Sequence, residues 1–388
     1  MKNPISFLVS FILVFSILNL EAEESFIPDP PSLTAKNYLL IDAYTNKVLA
    51  ELNAEEKIEP ASITKIMTGY VVSDQIKGGF ISLDDEVLIS EECWRRGGSR
   101  MFIQQGTKVS LLDLIKGMVI QSGNDASCAI AEHVAGSENN FVDLMMRYAE
   151  KLGLRNTNFI NATGWPDNDH YSSAEDIAKV SSLLINNFPE HYSLYKEKWF
   201  TFNDIRQRNR NALLWQDDDI DGLKTGHTES AGYCLIGSAK RGDMRLITVV
   251  AGSPSDNARF DSSQRLLEYG FRFFATQKQL SKDQGLKSIK VWGGQNESVE
   301  IGSAEDIYVT LPRMAFKDLT VNYNYKNNLK APITKGQIIG SIDIVSQDQI
   351  VSSSELVALD NVEPKGFFGR LWSTIWYWVL SLFGLTGD

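Results

Sequence analysis

The sequence has few of the residues on which many enzymes depend. It contains four histidines and three cysteines in 388 residues, and none of them has the spacing of a metal site. No GxGxxG motif follows a predicted strand, and no Walker phosphate loop occurs. The net charge of −11 argues against a broad phosphate-binding surface. These absences exclude a His-rich metal enzyme, a dinucleotide-binding domain and a nucleic-acid-binding protein, and we expect no cofactor and no metal. A hydrolase with this composition needs something other than a conventional histidine triad.

The three cysteines, Cys93, Cys128 and Cys234, are an odd number, so at least one stays unpaired within the chain. Cys128 lies in an apolar stretch that is predicted to be helical, and Cys234 lies in a strand-like stretch. We expect both to act as small buried hydrophobic side chains. The sequence therefore does not predict a disulfide framework.

Residues 1–22 have the pattern of a signal peptide. A lysine precedes an apolar run from Ile5 to Leu18, which is short for a membrane span but suits the hydrophobic region of a secretory signal. Small and polar residues follow, and we place cleavage after Ala22. An uncleaved N-terminal anchor is the alternative. Under either interpretation the rest of the chain is exported.

Residues 365–388 predict an amphipathic helix. Ser373, Thr374 and Tyr377 fall on one side of a helical wheel, while the opposite side is apolar and rich in aromatic residues. This pattern is typical of a helix that lies in a membrane interface. A short membrane span and a helix docked on the protein's own core are the alternatives.

The pattern of predicted helices and strands changes once between the signal peptide and the terminal helix. Residues 27–275 combine an early hairpin, several helical stretches and late strand-like runs, which predicts an α+β domain whose terminal strands pair in one sheet. Residues 277–360 contain short alternating runs separated by Gly, Pro and Asn. These runs predict a small, separate β-rich domain.

The segment PASITKIMT, residues 60–68, places a serine and a lysine three positions apart at the start of a predicted helix. Ser62 and Lys65 lie one turn apart, so their side chains can meet, and a lysine with a lowered pKa can accept the proton of a serine hydroxyl. The alternative is a helix-capping serine beside a solvated lysine. A second Ser-x-x-Lys at Ser193 and Lys196 shows how easily this pair arises.

Two triplets follow later in the sequence. Ser122-Gly-Asn124 interrupts an apolar helical run, and Lys224-Thr-Gly226 stands just before or on a predicted strand. The first triplet offers a hydroxyl that could relay a proton and an amide that could bind a carbonyl. The second offers a cation, a hydroxyl and a glycine that lets a substrate backbone approach the strand edge. Taken alone, each triplet is equally compatible with an ordinary loop or a lysine on an edge strand.

The order of the three motifs is what makes them informative. Ser-x-x-Lys, then Ser-x-Asn, then Lys-Thr-Gly is the signature of penicillin-recognising serine enzymes. Roughly sixty residues separate the first two motifs and about a hundred separate the last two, which fits that signature. The second Ser-x-x-Lys pair and the Ser-x-Asn triplet at Ser255 fall outside this order. The joint pattern favours Ser62 as a catalytic nucleophile.

The chain resembles the low-molecular-mass penicillin-binding proteins of the serine-type D-alanyl-D-alanine carboxypeptidase group. The resemblance extends beyond the motifs to AYTNKVLAELNAEEKIEPASITKIMT, SLLDLIKGMVIQSGNDAS, GLRNTNFINATG, YSSAEDIA and DGLKTGHTESAGYCL. It implies a β-lactamase/transpeptidase-like domain, with an antiparallel sheet and helices on both faces. A small all-β domain and an amphipathic C-terminal anchor are expected to follow. The implied location is the periplasmic face of the bacterial cytoplasmic membrane.

The resemblance also implies a reaction. Ser62 attacks the carbonyl between the last two D-alanines of a peptidoglycan stem pentapeptide, neutral Lys65 acts as the base, and Ser122 passes the proton to the leaving amine. Penicillins mimic this terminus and are expected to acylate the same serine. The resemblance assigns substrate binding to Asn124, Lys224, Thr225, Gly226, His227 and Arg259.

Two features of this implied site are electrostatic. The resemblance places the oxyanion hole at the backbone N–H groups of Ser62 and His227. Lys65 must be neutral for part of the cycle, and we expect a dry site and Lys224 to lower its pKa.

Three alternatives remain for the function. A transpeptidase or a D,D-endopeptidase would share the motifs, and a catalytically silent cell-wall-binding or β-lactam-binding protein would share the fold. The stretch NATGWPDNDHYSS offers Asp167 and Asp169 but no Glu-x-x-x-Asn motif, which weighs against efficient β-lactam hydrolysis.

Overall fold

Residues 27–382 are described in a computed structural model of the protein. The predicted signal peptide and residues 383–388 of the predicted terminal helix lie outside the described residues. The strands are β1 (Asn37–Asp42), β2 (Val48–Leu52), β3 (Glu86–Leu88), β4 (Lys108–Ser110), β5 (Trp199–Phe202), β6 (Ile205–Arg208), β7 (Ile220–Thr228), β8 (Gly232–Arg241), β9 (Met244–Ser253), β10 (Phe274–Leu280), β11 (Gly285–Trp292), β12 (Ser298–Ser303), β13 (Ile307–Pro312), β14 (Leu319–Tyr325), β15 (Leu329–Lys330), β16 (Ile338–Ser346) and β17 (Gln349–Ala358). The helices are α1 (Lys65–Lys77), α2 (Glu91–Trp94), α3 (Leu111–Ile120), α4 (Asn124–Ala135), α5 (Glu138–Lys151), α6 (Ala174–Asn187), α7 (Pro189–Tyr192), α8 (Asp256–Phe273) and α9 (Phe367–Leu382).

Five antiparallel strands form the central sheet in the order β2-β1-β9-β8-β7. Successive residues of a strand point to opposite faces. Leu39 of β1 therefore packs in a core with residues of α1 and α6, while Leu40 packs with Leu266 of α8 on the other side. The structure confirms the predicted α+β fold, with helices on both faces of one antiparallel sheet.

The β-rich part of the chain has its own apolar core. A six-stranded sheet runs in the order β14-β16-β17-β12-β11-β15, and β10 pairs with β13 in a second, two-stranded sheet. Alternating residues such as Ile342 and Ile344 of β16 are fully buried in this core. The predicted all-β fold after the α+β fold is confirmed.

A chain of hydroxyl groups joins the two parts of the protein. The Thr276 hydroxyl donates to the buried Asp42 carboxylate at 2.7 Å and lies 2.9 Å from the Thr310 hydroxyl. Thr310 in turn lies 2.8 Å from the Thr45 hydroxyl, which also donates to Asp42. Because buried polar groups are costly unless they are paired, these contacts favour one fixed arrangement at the junction.

Cys93 of α2 and Cys128 of α4 form a disulfide. The expectation that Cys128 serves only as a small buried hydrophobic residue was therefore wrong. The two cysteines are separated by 35 residues, and nothing in the local sequence pattern shows that α2 folds back onto α4. Cys234 is buried and free, as expected.

The terminal helix α9 contacts the β-rich part through its polar side. The Ser373 hydroxyl accepts a hydrogen bond from the Gly293 N–H at 2.9 Å, and the Tyr377 ring packs edge-on against Trp292 at 5.1 Å. Within residues 27–382, no helix has both the length and the hydrophobicity needed to cross a membrane. The large exposed apolar residues of α9 are Phe367, Phe368, Leu371, Trp372, Ile375, Trp376, Trp378 and Leu382.

Candidate active site

Ser62 lies in a short 3-10 turn, Ala61–Thr64, that leads directly into α1. Ile63, Ile66 and Met67 are each no more than 2 % exposed, because their spacing places them on the side of the turn and helix that faces the core. This packing anchors the turn that carries Ser62 to the hydrophobic core. The Ser62 side chain remains half-buried and is accessible from the site.

Lys65 connects the first motif to the rest of the site. Its ammonium donates to the Ser62 hydroxyl at 3.2 Å, to the Asn124 side-chain oxygen at 2.7 Å and to the Thr163 carbonyl at 2.6 Å. All three donor positions of the ammonium are therefore used, and Lys65 is only 1 % exposed. The predicted contact between the serine and the lysine is present.

Burial is the main electrostatic influence on this lysine. It lowers the pKa of Lys65 to about 7, the carboxylates of Asp125 and Glu138 raise that pKa, and the guanidinium of Arg210 lowers it. Burial also lowers the pKa of Lys224 well below its ordinary value, with the charges on Lys65, Arg210 and Arg259 acting in the same direction. The expected dry site is present. The expectation that Lys224 lowers the pKa of Lys65 was wrong, because the cation that lowers it is Arg210.

Ser122 and Asn124 lie at the break between α3 and α4. Ser122 has a φ of 64°, a left-handed conformation that non-glycine residues seldom adopt. Its hydroxyl is buried and has no hydrogen-bond partner within residues 27–382. Asn124 is held in place by donating to the Gly97 carbonyl at 2.8 Å while its oxygen accepts from Lys65. A buried, unpaired hydroxyl beside an oriented amide suits proton transfer to a bound substrate.

The third motif lies on β7, which passes directly beside the turn that carries Ser62. A Cβ atom added at Gly226 would lie 3.2 Å from the Ser62 nitrogen and 3.1 Å from the Pro60 carbonyl oxygen. Only glycine allows this close approach without displacement. Lys224 and Thr225 are buried, at 2 % and 5 % exposed, so the motif brings an amine and a hydroxyl into the same enclosed region.

Arg259 and His227 lie at different depths. Arg259 of α8 is buried and donates to the Gly226 carbonyl at 2.8 Å and the Cys234 carbonyl at 3.1 Å, and it forms an ion pair with Asp256. Its guanidinium thus supports β7 from behind. His227 is exposed, and its ring lies against Tyr233 at a centroid distance of 4.1 Å.

The second Ser-x-x-Lys pair forms no comparable site. Ser193 and Lys196 lie in an exposed 3-10 turn, and the Ser193 hydroxyl donates to the Glu190 carbonyl at 2.6 Å. This serine caps a local turn, which is the ordinary role of such a residue.

Three contributors to the site were missed by the sequence reasoning. The Thr163 and Gly97 carbonyls orient Lys65 and Asn124, and backbone oxygens carry no signal in residue type. Arg210 lies just beyond β6, where its Nε donates to the Gln121 carbonyl at 3.1 Å. The position of Arg210 in the site depends on how the β5–β6 hairpin packs against the Ser-x-Asn turn, which local sequence patterns do not show.

Comparison with known proteins decides the family. The signature of the D-alanyl-D-alanine carboxypeptidase family matches residues 24–255. The chain belongs to this family. A second signature, that of the penicillin-binding protein 5 C-terminal domain, matches residues 274–364. This D-alanyl-D-alanine carboxypeptidase family member is therefore a serine hydrolase with the β-rich domain that accompanies the catalytic fold.

Individual relatives support the assignment along nearly the whole chain. The D-alanyl-D-alanine carboxypeptidase DacC of Escherichia coli (strain K12) is 44% identical over 374 residues, covering 94% of this chain and 93% of the relative. Penicillin-binding protein 5 from Haemophilus influenzae superposes with a TM-score of 0.78 at 40% identity, covering 87% of this chain and 99% of that one. Penicillin-binding protein D2 from Listeria monocytogenes, solved in its ampicillin-bound form, superposes with a TM-score of 0.58 at 29% identity, covering 63% of this chain and 100% of that one.

Proposed function

We propose that this family member removes the terminal D-alanine from peptidoglycan stem pentapeptides through an acyl-enzyme on Ser62. The observation that carries the proposal is the set of hydrogen bonds from the Lys65 ammonium to Ser62, Asn124 and Thr163. These bonds place a lysine with a pKa of about 7 against a hydroxyl group. A pKa near the working pH is what a general base requires.

The acylation step begins with neutral Lys65. As the Ser62 oxygen forms a bond to the carbonyl carbon of the penultimate D-alanine, its proton moves to the lysine nitrogen. The carbonyl oxygen becomes an oxyanion, which the backbone N–H groups of Ser62 and His227 would stabilise. The position of Gly226 against the Ser62 nitrogen supports this arrangement, since it brings β7 to the same point.

The leaving step breaks the bond between that carbon and the nitrogen of the last D-alanine. The Ser122 hydroxyl gives its proton to the departing amine and recovers one from Lys65, which returns to the neutral form. Lys224 and Thr225 attract the terminal carboxylate, and Arg259 assists from behind β7. Water then attacks the acyl carbon, which regenerates the Ser62 hydroxyl and releases the shortened peptide.

Release of D-alanine tests the proposal. The purified protein should liberate D-alanine from a peptide ending in D-Ala-D-Ala, and Ser62→Ala should abolish the release. Ser193→Ala is the matched control, because it removes the other Ser-x-x-Lys serine, and it should keep full activity. Activity that survives in Ser62→Ala would refute the mechanism. Including an amine acceptor separates hydrolysis from transpeptidation, because a transpeptidase would transfer the acyl group to that amine.

Penicillins are expected to acylate the same serine. A relative with the same fold has been solved in an ampicillin-bound form, and a β-lactam carbonyl would meet the same nucleophile and base. Labelling with a fluorescent penicillin should be stoichiometric in the wild type and absent in Ser62→Ala. Labelling at another residue would contradict the proposal.

We further propose that the protein is exported and held on the periplasmic face of the cytoplasmic membrane by residues 365–388. The outward aromatic side of α9 supports the interfacial interpretation, because its polar side is already in contact with Trp292 and Gly293. A chain ending before Lys365 should keep its D-alanine release but lose its sedimentation with membranes. If the truncated protein still sediments after signal cleavage, the anchor lies elsewhere.

A further inference from the structure

Two backbone carbonyl groups orient Lys65 and Asn124, and they lie on different segments of the chain. The Thr163 carbonyl accepts a hydrogen bond from Lys65 at 2.6 Å, and the Gly97 carbonyl accepts one from Asn124 at 2.8 Å. The side-chain oxygen of Asn124 in turn accepts from Lys65 at 2.7 Å. The position of the Lys65 amine therefore depends on where these two segments are held.

The segment that carries Thr163 is held by Glu138, the first residue of α5. One carboxylate oxygen of Glu138 accepts a hydrogen bond from the Ala162 N–H at 3.0 Å. The Ala162 carbonyl accepts a second bond, from the Thr68 hydroxyl of α1, at 2.7 Å. Ala162 is fully buried, so these two bonds satisfy its backbone groups and fix the residue that directly precedes Thr163.

The segment that carries Gly97 is held by the other oxygen of the same carboxylate. Arg96 directly precedes Gly97 and forms an ion pair with Glu138. Its second partner, Glu92, lies at 2.7 Å, but the Glu92 side chain is 68% exposed, whereas that of Glu138 is 11% exposed. An ion pair that is shielded from water is screened less than an exposed one, so Glu138 is the main anchor for Arg96.

We propose that Glu138 is a positioning residue for the acylation of Ser62, because its carboxylate ties together the two segments whose carbonyls orient Lys65 and Asn124. The inference rests on the proposed function. A displacement of about 1 Å in a catalytic group can lower a rate about a hundredfold. A tie of this kind therefore affects the reaction without touching the substrate.

The charge of Glu138 provides a readout that a purely structural role would not change. Burial lowers the pKa of Lys65, whereas the negative charge of Glu138 raises it. Removing that charge should lower this pKa further and keep Lys65 neutral at lower pH. The charged or titratable groups that face Lys65 are Asp125, Glu138, His170, Arg210 and Lys224. A Glu138 variant leaves the other four unchanged, and His170, with a pKa of about 4, is neutral above about pH 5.

Acylation by a fluorescent penicillin, timed between about pH 5 and pH 9, tests the proposal. Glu138→Gln keeps the size of the side chain and an oxygen that can accept from Ala162, but it removes the charge and the ion pair. We expect the pH of half-maximal rate to fall by about half a unit and the plateau rate to fall about fivefold. Glu138→Ala should show the same shift, with a plateau about thirtyfold below the wild type, because both attachments are lost.

The ion pair is tested from its other side by R96Q. This variant should lower the plateau about fivefold. R96Q/E138Q should be slower than Glu138→Gln by no more than about twofold, because both substitutions remove the same ion pair. A plateau in R96Q equal to that of the wild type would overturn the link to the Gly97 segment. Multiplied losses in the double variant would overturn it as well.

Glu150→Gln is the matched control, because it makes the same substitution at an exposed position of α5. It should change neither the midpoint nor the plateau. The rate constant describes only the protein that reacts, so partial unfolding of a variant does not affect either readout. An unchanged midpoint in Glu138→Gln, or an unchanged plateau in Glu138→Ala, would overturn the proposal. A wild type that the penicillin does not acylate would instead contradict the proposed function.

Discussion

Replacing Arg210 by glutamine should raise the pH at which Ser62 becomes reactive. Protonated Lys65 cannot accept the serine proton, so the acylation rate should fall about tenfold per pH unit below the pKa of Lys65. That pKa is about 7, and the positive charge of Arg210 helps to lower it. Removing the charge makes protonation of Lys65 easier, which raises its pKa and moves the acid limb of the profile to higher pH.

The magnitude follows from the population of neutral lysine. With an ordinary pKa of 10.5, about three lysines in ten thousand are neutral at pH 7, whereas a pKa of about 7 leaves roughly half of them neutral. The enclosed site therefore enlarges the population of competent base roughly a thousandfold. Burial supplies most of this effect, so we expect the loss of Arg210 to shift the midpoint by only about half a pH unit.

Acylation by a small fluorescent penicillin, timed between about pH 5 and pH 9, measures this midpoint directly. The position of the midpoint is the readout, because it does not depend on how tightly the penicillin binds. Arg147→Gln, which removes an exposed arginine on α5, serves as the control and should leave the midpoint unchanged. A downward shift in Arg210→Gln, or a wild-type rate that does not change over this range, would refute the reasoning.

Three further outcomes are expected. Gly226→Ala should lower D-alanine release at least tenfold without unfolding the protein, because the new methyl group would press on the backbone at Ser62; unchanged kcat/KM would contradict the close approach. Cys93→Ser should lower the free energy of unfolding by about 4 kcal/mol, as measured in urea, since the bond to Cys128 closes a loop of 35 residues; an unchanged midpoint would show that the bond is not formed. Lys65→Met should stabilise the protein near neutral pH, because burial disfavours the charged form of the Lys65 amine in the folded state. The lowered pKa of Lys65 means that the free energy of unfolding of the wild type increases as pH rises from about 7 towards 10. The difference in free energy of unfolding between the variant and the wild type should therefore shrink by roughly 1 kcal/mol per pH unit. Parallel stability profiles would contradict this.

The sequence reasoning succeeded where a function depends on residue types at short spacing. Ser62 and Lys65 lie within one helical turn, so their contact follows from local geometry. Their link to Asn124, 59 positions from Lys65 along the chain, was suggested only by the order of the motifs. That order is informative because three weak signals seldom coincide in the required sequence.

The sequence reasoning failed for residues whose role depends on tertiary packing or on a backbone atom. Thr163 acts through its carbonyl oxygen, which every residue possesses. Arg210 is one of many basic residues, and its influence on Lys65 arises from the packing of a hairpin against the Ser-x-Asn turn. The partnership of Cys93 with Cys128 likewise depends on how two helices meet. These features follow from tertiary structure, which local patterns do not encode.

The position of β1 in the sheet has a consequence for how the protein reaches its folded state. β1 pairs along its whole length with β9, residue Asn37 opposite Ala251, so the centre of the sheet joins segments about two hundred residues apart. Until β9 has been synthesised, the β1–β2 hairpin lacks its neighbour, and an isolated hairpin is marginally stable in water. The chain therefore cannot complete its central sheet until most of the domain has been made. In an exported protein, this late completion would keep the newly made polypeptide in the extended form that a secretion channel can thread.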